Sequence, residues 1–320
     1  MKKLIASVLA LSLIASTVTV PVGAAWKKDS TGNWTYLQKN GSKATGWLTL
    51  QGKWYHFDSN GLMETGWVYS GGKWYYMASD GTMKTGWIKT GGQWYYMDRF
   101  GAMQKGFIHD GTDWYFLGPS GALEQNGVEA CESCEAFSSN GKSIRLKGGL
   151  IYVDGILVAN KRYPLPKNYT PGGLTDEVMG AFNTLKNAMS AQGMSLYISS
   201  GYRSYSYQAG LYQKYAARDG KNAADRYSAR AGFSEHQTGL AFDVNQINDS
   251  FANTAEAKWL AAHAHEYGFI IRYPKGQEDI TGYQYEPWHL RYLGKDTAKA
   301  VYESGLCLEK YLGIPSYYLQ

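Results

Sequence analysis

Lys73-Trp74-Tyr75-Tyr76-Met77-Ala78-Ser79-Asp80-Gly81-Thr82-Met83-Lys84-Thr85-Gly86-Trp87 is one copy of a unit that the chain carries five times. Trp34, Trp54, Trp74, Trp94 and Trp114 recur every 20 residues, as do Gly41, Gly61, Gly81, Gly101 and Gly121. Gly46-Trp47, Gly66-Trp67, Gly86-Trp87 and Gly106-Phe107 fall between them, and Met63, Met83, Met103 and Leu123 follow the later glycines by two residues. Lys73–Met77, then Ser79-Asp80-Gly81, then Met83–Trp87 reads as strand, turn and strand, because Asp-Gly tolerates the positive φ of tight hairpin turns. A lone two-stranded hairpin is marginal in water. The copies are therefore expected to stack and bury their rings on one another as an all-β solenoid. Trp26 precedes Trp34 by eight residues where Trp47 precedes Trp54 by seven, and Phe107 replaces the last paired tryptophan, as suits capping units.

Upstream of the array, Met1-Lys2-Lys3, an apolar run from Leu4 to Val20 and the small residues to Ala25 have the three parts of a secretory signal, assigned to residues 1–24. No second long apolar run follows, so no membrane span is expected after cleavage. The formal charge is +5, and removing Lys2 and Lys3 with no acids leaves 5 − 2 = +3. That is too small to indicate nucleic acid. Three cysteines exclude a disulfide framework. Cys131 and Cys134 form an isolated CxxC that could be a local disulfide, two free thiols or half of a metal site, and Cys307 has no obvious partner.

The array is assigned to residues 25–124. From there the aromatic period stops and Asn, Ser, Gly, Glu and Cys dominate, so 125–148 reads as a linker. Residues 149–320 are long enough for their own core. Thr175 can cap a helix with Val178, Ala181, Phe182, Leu185 and Met189 on one face. Ser195–Ser199 reads as a strand, Ser204–Arg218 as a helix and Leu240–Val244 as a strand. Ala255–Tyr267 is a helix that Gly268 ends, and Phe269–Tyr273 is a further strand. The irregular alternation gives an α+β domain, a small antiparallel sheet with helices.

Three segments of this domain bring polar groups to apolar strand ends: Ser200-Gly201-Tyr202-Arg203-Ser204, Ser234-Glu235-His236-Gln237-Thr238-Gly239-Leu240-Ala241-Phe242-Asp243, and Glu286-Pro287-Trp288-His289. Two imidazoles and one carboxylate fill three of four tetrahedral zinc positions and leave one for water, which is the make-up of a catalytic site. Asp243 inside an apolar strand also needs a partner, since a bare buried carboxylate is costly. His109, His263 and His265 read as ordinary surface or core residues.

With SGYRS, HxxxxxxD and ExxH in this order, and with Tyr163-Pro164-Leu165-Pro166 and Arg272-Tyr273-Pro274-Lys275-Gly276, the segment from about Val153 to Tyr311 resembles the VanY-type D-alanyl-D-alanine carboxypeptidases. The resemblance implies an α+β zinc peptidase domain with His236, Asp243 and His289 as Zn2+ ligands and Glu286 as general base. It implies that Arg203 holds an oxyanion or the substrate's terminal carboxylate, and that Gln208, Ser234, Tyr273 and Trp288 line the substrate cleft. From Lys43 to Leu123 the array resembles the choline-binding, or cell-wall-binding, repeats. Its ligand boxes would be walled by Trp47 with Trp54, Trp67 with Trp74, and Trp87 with Trp94, each closed by the next hairpin's Tyr76, Tyr96 or Phe116. Ring faces hold a quaternary ammonium by about 0.5–2 kcal/mol each. His56 stands where a tyrosine is expected. The partners implied are peptidoglycan stem peptides and a choline-bearing or glycan wall polymer. The expected activity is secreted, wall-anchored removal of terminal D-alanine, at a DD or an LD bond; the alternatives are a peptidoglycan endopeptidase and a non-catalytic wall-binding adhesin.

Overall fold

The computed structural model describes residues 24–126, 134 and 136–319. The expected signal peptide lies outside the described residues except for Ala24, and so does Cys131. Among the described residues no helix is long and apolar enough to cross a membrane. The chain divides into two compact units, one ending at Gln104 and the other beginning at Lys105.

In the first unit Ala25–Lys28 pairs with Trp34–Leu37, and each later hairpin pairs a Gly-Trp strand with the Trp-Tyr strand that follows it. Gly66–Ser70 pairs with Lys73–Met77, placing Trp67 opposite Tyr76. Gly71 and Gly72 form the turn, with φ of 56° and 79°, the double positive φ of a two-residue hairpin turn. This corrects the pairing expected from sequence. Ser79-Asp80-Gly81 joins one hairpin to the next, and Met83 makes only an isolated bridge to Met77. Met83 instead donates its amide to Trp54 O of the preceding hairpin at 2.8 Å, as Met63 does to Trp34 and Met103 to Trp74. The 20-residue glycine has a steric cause: a Cβ on Gly81, at φ 80°, would lie 2.2 Å from Met63 Sδ. Gly101 must likewise leave that carbon bare for Met83, whereas at Gly61 the neighbour is the Lys43 side chain.

The second unit is α+β. Its central sheet contains β1 (Ile198–Ser200), β2 (Ala241–Val244), β3 (Phe269–Tyr273) and β4 (Glu286–Tyr292), in the order β1-β2-β4-β3 with every neighbour antiparallel. α1 (Asp176–Ala191) is capped by the Thr175 hydroxyl and sets Val178, Phe182, Leu185 and Met189 into the core against Phe242, Val244 and Leu290. α2 (Tyr205–Asp219) is capped by Ser204. The helix expected over 255–267 is α3 (Ala255–His263) followed by a 3-10 turn (Ala264–Tyr267) that Gly268 ends at φ 90°. The strand expected at 195–199 forms later, at 198–200.

The segment read as linker holds strands Ala136–Phe137 and Ser143–Lys147, which join Leu150–Val153 and Ile156–Val158 in a second antiparallel sheet. Ile144 and Leu146 alternate inward and are buried with Ile151 and Val153. Phe107, Trp114 and Phe116 of the fifth hairpin are buried in the same cluster, so that hairpin is built into the second unit. Cys134 is buried and disulfide-bonded, and Cys307 is free and buried, which removes the metal reading of the CxxC.

Candidate active site

Register brings the site together. Asp243 on β2 lies directly opposite His289 on β4, and such cross-strand neighbours hold their Cβ atoms about 5 Å apart. Glu286 and His289 are three apart on one strand, which would ordinarily point them to opposite faces. An irregularity in the β3–β4 pairing, where Ile271 meets Leu290 and Tyr273 meets Glu286, re-aims the chain. Glu286 Oε2 then lies 3.3 Å from His289 Nδ1. His236 arrives from the 3-10 turn Glu235–Thr238, closed by Gly239 at φ 71°. A Cβ on Gly239 would come within 2.4 Å of Gly173 O, so the tight return into β2 needs glycine.

His236, Asp243 and His289 are buried, and one potential ligand atom from each lies within 4.8 Å of the others. His236 Nε2 is 3.3 Å from Asp243 Oδ2, and His289 Nδ1 is 3.4 Å from Asp243 Oδ1. His236 Nδ1 donates to Gly201 O at 2.7 Å, which leaves Nε2 bare for a metal. Among the described residues Asp243 Oδ1 has no hydrogen-bond partner. Arg203 Nη2 places a cation 2.6 Å from His236 Nε2 and 2.7 Å from Asp243 Oδ2. A donor set of two imidazoles and a carboxylate, one of its oxygens unsatisfied and the other already facing positive charge, fits a zinc ion.

Burial alone would raise the Asp243 carboxyl, but the His236 and His289 imidazoles and Arg203 outweigh it and hold the group well below the usual range. Burial holds the His289 imidazole down to about 3, so it is neutral, as a ligand must be. Burial, then the Asp243 carboxylate, push Glu286 well above the ordinary glutamate value.

The three ligands and Glu286 line a cleft of about 590 Å³ with Arg203, Ser234, Tyr273 and Trp288. Gln208 does not line it. It is fully buried behind the wall, accepts from Arg203 Nη1 at 3.2 Å and donates to Ala229 O at 2.8 Å. Ser200 Oγ accepts from Arg203 Nε at 3.1 Å. Gln208 and Ser200 thus fix the guanidinium, and neither role has a local sequence signal.

In the repeats, Trp47 and Trp54 stand 6.2 Å apart at 80°, Trp67 and Trp74 6.2 Å at 87°, and Trp87 and Trp94 6.4 Å at 89°. The next hairpin contributes Tyr75 to Trp47 and Tyr95 to Trp67. Tyr76 and Tyr96, expected in that position, lie against Trp67 and Trp87 of their own hairpins. Neighbouring strand residues face opposite sides, so an offset of one residue exchanges the partner. Phe116, expected to close the third box, is packed on Phe107 in the core of the second unit. His56 lies 4.7 Å from Trp47 and is paired with Glu64.

A buried histidine–aspartate–histidine cluster with a neighbouring glutamate, in a cleft of an α+β domain, defines a metal-dependent hydrolase. The sequence pattern of the D-alanyl-D-alanine carboxypeptidases matches residues 172–295, that of the choline-binding repeat 44–85, and that of a cell-wall-binding repeat 85–103 and 105–123. A D-alanyl-D-alanine carboxypeptidase of Enterococcus faecium is 31% identical over 212 residues, 59% of this chain and 67% of its own. A bifunctional D-Ala-D-Ala dipeptidase and carboxypeptidase of Enterococcus gallinarum is 32% identical over 172 residues, 48% of this chain and 90% of its own. The solved structure of the LdcB LD-carboxypeptidase is 47% identical, covers 56% of this chain and 99% of that one, and superposes with a TM-score of 0.51. The chain spans about two thirds of the length of its Bacillus subtilis and E. faecium relatives. It belongs to the D-alanyl-D-alanine carboxypeptidase family, hydrolases of peptide bonds whose metal is zinc, and carries cell-wall-binding repeats.

Proposed function

We propose that this chain is exported, holds to the wall through hairpins stacked as a solenoid, and removes the terminal D-alanine of peptidoglycan stem peptides by zinc-dependent hydrolysis. The observation that carries the reading is the convergence of His236, Asp243 and His289 in one cleft with Glu286 beside them. The 47% identity to an LD-carboxypeptidase favours the tetrapeptide stem, whose D-alanine follows an L-centre. Export rests on the charged, apolar and small-residue run at 1–24. Stacking is supported by the amide bonds that Met63, Met83 and Met103 donate to preceding hairpins. Near-perpendicular tryptophan pairs with a tyrosine from the next hairpin support a quaternary ammonium such as choline as the wall ligand.

His236, Asp243 and His289 would hold a zinc ion, which when bound would acidify a water and polarise the scissile carbonyl. Glu286 takes the proton of the attacking water and returns it to the amine of the leaving D-alanine. Arg203, held by Ser200 and Gln208, offers its fork to the oxyanion or to the terminal carboxylate. Ser234, Tyr273 and Trp288 shape the cleft that receives the stem.

Tetrapeptide and pentapeptide stems digested with and without a chelator test this. Free D-alanine from the tetrapeptide, lost on chelation and restored by zinc, is expected. Loss of cross-links without free D-alanine would mean an endopeptidase, and neither product nor zinc uptake would leave only a wall-binding protein.

A further inference from the structure

The two imidazoles differ in what holds their far nitrogen. His236 gives its Nδ1 proton to a backbone carbonyl. His289 Nε2 is buried with no hydrogen-bond partner among the described residues, and the Oε2 atom of Glu235, equally buried and equally unpartnered, lies 3.8 Å away. The other oxygen of Glu235 is fixed: Oε1 accepts from Arg272 Nε at 2.8 Å and from Arg291 Nη1 at 2.9 Å. Arg272 is in turn held by both oxygens of Glu309, at 2.8 and 2.5 Å, and Arg291 donates to Leu157 O at 2.6 Å. All four charged residues are 1% exposed.

Two arginines and two glutamates sum to zero charge, yet burying them carries a desolvation cost that an apolar core would avoid. Stability is therefore a weak reason for the network. Its geometric product is one carboxylate oxygen, clamped on the side away from the imidazole and open on the side towards it. We propose that Glu235 is a positioning residue for the metal site. Its Oε2 accepts the Nε2 proton of His289, which fixes the tautomer whose bare Nδ1 faces Asp243 and makes that nitrogen a better ligand. A movement of under about 1 Å brings the pair to hydrogen-bond distance. Arg272 and Arg291, which both donate to the other oxygen, keep the carboxylate aimed. The inference rests on His236, Asp243 and His289 holding zinc.

Its test uses the full chain and a chromophoric chelator in competition for zinc. Glu235→Gln keeps the shape and removes the charge, and zinc should bind about 10–100-fold more weakly. Glu309→Gln disturbs Arg272 without touching His289, so it should lower the thermal midpoint and leave zinc affinity within about threefold, below that range. Zinc affinity of Glu235→Gln within the same threefold, or an equal loss in Glu309→Gln, would overturn the role. Should Glu235→Gln not fold, the wild-type chain still decides: with 15N-histidine and zinc bound, His289 should carry its proton on Nε2, and a proton on Nδ1 overturns the proposal. A wild-type chain that takes up no zinc would instead sink the metal reading itself.

Discussion

Glu286 stands 3.3 Å from His289 Nδ1, buried, beside the Asp243 carboxylate that raises its proton affinity. A carboxyl in that position is poised to accept and return a proton and is not needed to complete the ligand set. Glu286→Gln should therefore keep a full equivalent of zinc while the rate of D-alanine release falls by about 10²–10⁴-fold, the span of general acid–base catalysis. Metal analysis and initial rates on the same sample check both halves, and an active variant would remove Glu286 from the chemistry. At this scale the ligands were legible because HxxxxxxD and ExxH are local spacings. The resemblance placed Gln208 in the substrate cleft. That it sits behind the guanidinium, and not in the cleft, is fixed by Ser228 and Ala229, about 20 residues on, and no local pattern carries that.

Among the elements, the hairpins separate rings that pack from rings that are offered. Phe57 and Met77 are completely buried, whereas Trp74 and Trp94 are more than 40% exposed. Replacing Trp67 and Trp74 by Ala should weaken attachment to isolated walls and leave hydrolysis of a soluble peptide within about twofold, as expected for sites in separately folded units. Sedimentation with walls and a rate assay distinguish the two effects. In the fifth hairpin, His109 has its ring edge-on to Trp114 at 5.2 Å, and its Nδ1 accepts the Gly111 amide at 3.2 Å. Burial lowers its pKa, against the opposing pull of Asp110 and Asp113. The unfolded imidazole titrates near about 6.5, so as pH falls below that value the unfolded chain takes the proton first. Stability from neutral His109 is present above that pH and is lost as pH falls towards the folded pKa. His109→Gln should therefore show a smaller loss of urea midpoint between pH 7.5 and 5.5 than wild type. Parallel slopes would rule out the linkage. Helix α1 was readable from its cap and apolar period. Strand β4 was not, because Glu286 through Arg291 are buried on both faces and show no alternation.

For the whole molecule, composition and packing give different boundaries. Polar residues between 125 and 148 look like a linker, but the alternation Ile144-Arg145-Leu146 inside them is a strand paired with Ala136–Phe137 before it and Leu150–Val153 after it. The fifth hairpin looks like the last of an array, but Phe107, Trp114 and Phe116 are buried with Ile144, Leu146, Ile151 and Val153. A fragment starting at residue 149 would lose five of those side chains, and each large core truncation costs about 2–5 kcal/mol. The sum rivals or exceeds the whole stability of an ordinary domain, about 5–15 kcal/mol. A fragment of residues 105–320 should thus fold cooperatively, bind zinc and release D-alanine from a soluble tetrapeptide at close to the full-length rate, whereas 149–320 should be insoluble or unfolded. Calorimetry and activity on the two fragments check this. A stable, active 149–320 would show that the fifth hairpin is only an appended repeat, whose rings the peptidase unit can do without.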